Sequence, residues 1–174
     1  MKLHPSLRNA FLALALALSV CAQCAAGTLP QLEADSLGGT HVVLPRDAAG
    51  KPLVLLLAFT KESEPQLKSW SRQLLQNKVI ANAAVYVVVV ADKIVFFAKK
   101  GVRKTVEEAT VGTKEQRDNN VLITFNGAGW RDLVPPGDKE TVGVVVCDPS
   151  GSIVFAKREA YSDANVAEVE KAAH

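Results

Sequence analysis

The chain has 174 residues, 48% of them hydrophobic and 22% charged, the proportions of a single globular domain with a proper core. Its 20 basic residues exceed its 18 acidic ones by Lys2 and Arg8, both in the first 26 positions, so residues 27–174 are formally neutral. That balance leaves no electrostatic footprint for nucleic acid or for a strongly acidic partner.

In chain order, Lys2 and Arg8 precede an apolar run from Phe11 to Val20, followed by small residues. The run is about half the length needed to cross a bilayer and has the pattern of a secretory signal peptide. The expected division is a signal peptide at 1–26 and one domain at 27–174, in the periplasm or secreted. Cleavage after Ala26 is favoured over Ala22 or Cys24. CAQC, residues 21–24, has the spacing of a redox dithiol, but that cleavage discards both thiols. Lipidation of Cys21 is the alternative and would anchor the chain to a membrane; Leu18-Ser19-Val20 matches that processing poorly. Cys147 is then the one thiol of the mature chain, and no intramolecular disulfide can form.

Gly27 to Ser36 is polar and reads as an extended leader. A short strand is expected at His41–Leu44, then a turn rich in Asp, Gly and Pro. Leu53 to Phe59 is an unbroken apolar run, as in a strand buried on both faces. Ser63 and Gln66 have capping-box spacing and Pro65 suits a first turn, so a helix should run from Glu64 to about Asn77, with Leu67, Trp70 and Leu74 on one face. Ala84 to Val90 is a second buried strand, and the β-helix-β order implies a right-handed crossover between parallel strands. Asp92 can cap a helix reaching Gly101. From there to Asn120 the chain is polar and unassigned; Lys99, Lys100, Arg103 and Lys104 read as a solvated helix face or turn. Val121–Phe125 is a third strand, closed by Asn126-Gly127. Val142–Cys147 and Ile153–Ala156 flank the hairpin turn Asp148-Pro149-Ser150-Gly151. Ser162 can cap a last helix carrying Val166, Val169 and Ala173.

This order, with VVVCDPSGSIVF (144–155), FFAKKGV (96–102) and VLITFNGAG (121–129), resembles the thioredoxin fold of exported TlpA- and ResA-like proteins and peroxiredoxins. The resemblance spans residues 38–173. It implies a three-layer α/β domain with a central mixed sheet flanked by helices. Where that family carries W-C-x-x-C, this chain reads Phe59-Thr60-Lys61-Glu62-Ser63-Glu64-Pro65-Gln66-Leu67. The chemistry needs a thiolate at a helix N-terminus and a resolving thiol three residues on, and neither is present. The family's cis-proline falls on Val142, where a trans peptide is expected because a non-proline cis bond costs about 3 kcal/mol. FTKESEPQLKSW and GDKETVGVVVCDPSGSIVF are also similar to the thioredoxin-like assembly factors of mitochondrial ATP synthase, which act as chaperones.

The expected function is therefore a non-catalytic protein-binding, assembly or chaperone-like module acting on another exported or membrane protein. Its surface would comprise Thr60, Lys61, Glu62, Ser63, Glu64, Thr141 and Val142, with Trp130 as a contact aromatic in a glycine-rich loop. The alternative is a one-cysteine thiol peroxidase or oxidoreductase using Cys147, whose bland counterpart is a small buried hydrophobe. No cofactor is expected. No metal is expected either, since His41 and His174 are isolated and no mature C-x-x-C remains.

Overall fold

The computed structural model describes residues 27–76, 80, 82–91 and 99–174. The expected signal peptide, the CAQC motif and most of the helix expected from Asp92 lie outside them.

The strands are β1 Leu32–Ser36, β2 His41–Leu44, β3 Leu53–Ala58, β4 Ala84–Val90, β5 Val121–Thr124, β6 Val142–Cys147 and β7 Ile153–Glu159. The helices are α1 Glu64–Ser71, α2 Lys99–Ala109, α3 Lys114–Asn120 and α4 Asp163–Ala172. A wider turn, Arg72–Gln76, prolongs α1. The strands form one mixed sheet in the order β2-β1-β5-β4-β3-β6-β7. As the apolar runs require, β3 and β6 are buried at every position. β3 pairs parallel with β4 and antiparallel with β6, and β4 pairs parallel with β5.

Side chains alternate across the sheet and feed two clusters. Val54, Leu56, Val87, Val144 and Val146 meet Leu67, Trp70 and Leu74 of the α1 segment, Val106 of α2, and Val166 and Val169 of α4. Leu53, Leu55, Leu57, Val145 and Cys147 face the other way, onto Leu29, Leu44, Ala48, Trp130 and Leu133. The mixed sheet covered by helices is thus the architecture expected. Ser162 caps α4 as read, accepting from Asn165 N–H at 3.1 Å. The peptide before Val142 is trans, the cis bond among the described residues being Leu44–Pro45. No helix among the described residues is long and apolar enough to cross a membrane.

Three expectations change. Residues 32–36 are an interior strand, not a leader: Leu32, Ala34 and Ser36 alternate inward, and β1 lies between β2 and β5. The unassigned stretch before Asn120 holds α2 and α3, and Thr113 with Gln116 forms a capping box on α3. Arg103 is not merely solvated; its guanidinium donates to the carbonyls of Ser36 and Leu37 at 2.7 and 2.6 Å.

Candidate functional site

β3 delivers Phe59 to the C-terminal end of the sheet, and Thr60 continues it in extended conformation. A 3-10 turn, Lys61–Ser63, then leads into α1. Because that turn already gives Ser63 helical torsions, its hydroxyl does not cap α1 and instead donates to the Thr60 carbonyl at 2.8 Å. The expected capping box is absent for a second reason: Gln66 Oε1 is occupied by the Tyr161 N–H at 2.6 Å. Pro65 sits in the first turn as read.

The expected surface splits by burial. Lys61 and Glu62 are exposed, and Thr60, Glu64 and Thr141 half-buried. The Thr60 hydroxyl donates to the Lys139 carbonyl, which joins the junction to the approach of β6. Glu64 is held by Lys68 one turn on, at 2.7 Å. Ser63 and Val142 are fully buried and cannot form part of a contact surface. Trp130 is 1% exposed and belongs to the core cluster beneath the sheet. Folding its large apolar ring onto the sheet removes more surface from water than a loop position could, so it is not a contact aromatic.

A groove of about 500 Å³ opens beside the junction. Its floor is Ala58 and the end of β4, Val89–Ala91, its far wall is Val102, Val106 and Ala109 of α2, and Lys61, Glu64 and Arg131 stand at its mouth. Its size and apolar lining with few polar groups are those of a binding pocket. Sequence reading missed the α2 wall, Phe59 and two arginines. Arg131 and Arg158 both lie over the Phe59 ring, 5.1 and 5.0 Å from its centroid, a cation–π geometry. No local signal pairs residues so far apart in the chain.

Cys147 lies on β6, fully enclosed, and is the described cysteine. Burial, followed by the neighbouring Asp148 charge, pushes its thiol up to about 11. No group of three or more His, Cys, Asp or Glu that could hold a metal occurs among the described residues. His41 contacts Asp35 at 3.0 Å and Glu33 at 3.6 Å on the exposed β1–β2 hairpin.

No protein-family model and no curated protein matches the chain. Solved structures do. A candidate electron transfer protein from Aquifex aeolicus superposes with a TM-score of 0.60 at 14% identity, over 86% of this chain and 94% of its own. A candidate thiol:disulfide interchange protein DsbE from Chlorobium tepidum gives 0.59 at 15%, over 84% and 93%. The exposed lipoprotein thioredoxin of Streptococcus pneumoniae gives 0.55 at 14%, over 82% and 98%. The fold is that of the thioredoxin-like proteins.

Proposed function

We propose that this thioredoxin-fold chain is an exported polypeptide-binding module that works without thiol chemistry. The observation that carries the reading is the β3–α1 junction. The position that would present a nucleophilic thiol to a helix N-terminus holds Thr60 to Glu64 with no sulfur, while an apolar groove of about 500 Å³ stays open beside it. Gripping an extended chain needs apolar surface and a few polar anchors. Thr60, Lys61, Glu64 and Thr141 supply the anchors, and the walls from β4 and α2 supply the apolar surface. Export rests on the charged and apolar leader of residues 1–26. The alternative through Cys147 is weakened by its burial and raised pKa, since the thiolate is the reactive form and only about one molecule in 10⁴ would carry it at pH 7.

The test pairs turnover with binding. The protein is assayed for disulfide reduction and for peroxide consumption beside Cys147→Ser. Its binding of a reduced, unfolded polypeptide is followed by amide chemical shifts. We expect no turnover above background, and shifts at Lys61, Glu64 and Thr105 that Thr60→Trp, which fills the mouth, abolishes. Peroxide consumption that disappears in Cys147→Ser overturns the proposal, as does a groove that leaves unfolded chains unbound.

A further inference from the structure

We propose that the apolar groove beside α2 is one half of a longer track: an extended, apolar-rich segment of the partner polypeptide leaves it past Phe59 and runs on along the outer side of β7. The inference rests on the polypeptide-binding reading of the α2 groove and adds the length and the side-chain character of the chain that is bound.

Strand direction brings the two places to one end of the sheet. β7 is antiparallel to β6, and β6 to β3, so β7 runs parallel with β3. The row Leu57, Gly143, Arg158 crosses these three strands two residues before Phe59, and Arg158 lies 5.0 Å over the Phe59 ring. β4, parallel to β3, ends at the same level, in the floor of the α2 groove. A second groove, of about 1130 Å³, opens here between residues 133–136 and Val154, Ala156 and Arg158 of β7. Phe59 and Arg131 line both grooves, so the second begins where the first ends.

The β7 half offers backbone and apolar surface. Ile153 N–H donates to the Gly27 carbonyl at 2.8 Å and Thr28 bridges Ser152; beyond Ile153 nothing among the described residues pairs with the outer side of β7. The register places Phe155 opposite Val146 and Ile153 opposite Cys147, so Val154 is the extra residue of a bulge, which re-aims it. It is 47% exposed and the one large hydrophobic so exposed among the described residues. An extended chain takes up such an edge by strand addition, with its alternate side chains against Val154 and the prolines of 133–136. Charge does not select the occupant. Arg131 and Arg158 lie over the Phe59 ring, and Lys157 is held by Glu168 at 2.6 Å and Glu159 at 3.3 Å. The selection is by apolar side chains and by length. β4 and β7 stand three strand spacings apart and Val154 lies four residues from Arg158, which together make ~27 Å, the reach of about eight extended residues. One chain engaging both halves makes the second contact intramolecular, which raises affinity without any further contact.

The probes are acetylated, amidated peptides of alternating leucine and serine, one of ten residues and one of five, titrated into isotope-labelled protein. The decapeptide should bind one per protein, with amide shifts at Lys61, Glu64 and Thr105, at Arg131 and over residues 154–158. The pentapeptide, too short to reach both halves, should bind at least about tenfold more weakly. Val154→Lys, on an exposed position that leaves the core intact, should weaken the decapeptide about tenfold and restrict its shifts to the α2 groove. Exchanging two of its serines for glutamate or for lysine should leave its affinity nearly unchanged. Decapeptide shifts confined to the α2 groove and indifferent to Val154→Lys overturn the track while the polypeptide-binding reading stands; no shifts with either peptide overturn both. Two decapeptides per protein, equal affinity for the two lengths, or strong preference for one charge also overturn the track. So does a dimer in sedimentation that Val154→Lys dissociates, which would assign the edge to a second copy.

Discussion

Cys147 shows how one side chain's surroundings decide its chemistry. Its strand lies between β3 and β7, and the sulfur is enclosed on one face of the sheet within the cluster of Leu53, Leu55 and Trp130, so it behaves as a small hydrophobe. Its raised pKa also carries a stability consequence. The unfolded thiol ionises near its ordinary value of 9, the native one near 11. Below pH 9 both states keep the proton and the native preference is fully present; as pH rises towards 11 the unfolded chain releases a proton that the native state retains, and stability falls. We therefore expect the difference in denaturant stability between the protein and Cys147→Ala to shrink between pH 9 and 11. Cys147→Ser, which buries a hydroxyl among apolar neighbours, should cost about 1–3 kcal/mol at pH 7. A constant difference across that range, read from urea titrations, would refute the account. Trp130 belongs to the same scale: beside Arg131 in a glycine-rich loop it had the composition of a contact residue, and only the sheet beneath it made it core.

Among the elements, local chemistry was legible where the chain's neighbours in sequence are also its neighbours in space. Asp148-Pro149-Ser150-Gly151 closes the β6–β7 turn through the Asp148 carboxylate, which accepts from Ser150 N–H at 2.9 Å and Ser152 N–H at 3.0 Å. Ser162 caps α4, and Ser162→Ala should lower stability by about 1 kcal/mol, measured in urea. Ser63 has the same residue type before a helix yet does not cap, because the preceding 3-10 turn sets its torsions and Tyr161, far along the chain, claims Gln66. β1 was missed for a related reason. Leu-Glu-Ala-Asp-Ser alternates correctly, but its inward positions include small and polar Ala34 and Ser36, so its pattern is faint without β2 and β5 on either side.

On the scale of the whole molecule, the β1–β2 hairpin is joined to the rest of the sheet through two paired positions on β5, Asp35 with Ile123 and Ser36 with Leu122. Arg103 reinforces that seam from α2, and Gly38 N–H donates to the Asp118 carbonyl of α3 at 2.9 Å. A Cβ at Gly38 would stand 2.9 Å from that same oxygen, which is why glycine occupies the turn. Arg103→Ala should lower stability by about 1.5–3 kcal/mol, the range for hydrogen bonds from a charged group. It should also speed amide exchange in β1 and β2 more than in β3 and β6. Uniform acceleration throughout the sheet would place the seam's contribution elsewhere.

The sequence by itself determined the apolar strands β3, β4 and β6, the hairpin turn, the last helix and its cap, and the absence of sulfur at the β3–α1 junction. Each of these depends on hydrophobic period, on turn chemistry within a few residues, or on the identity of residues at one place. Only the tertiary structure decided that Trp130, Ser63 and Val142 are interior, that Arg103 ties a hairpin to a helix, and that Arg131 and Arg158 meet over Phe59. It also decided where the two grooves lie, and that beyond Ile153 nothing among the described residues pairs with the outer side of β7. Those outcomes depend on which distant segments share one sheet face, and burial of apolar area, being non-directional, leaves no mark in the local sequence of where its partner will come from.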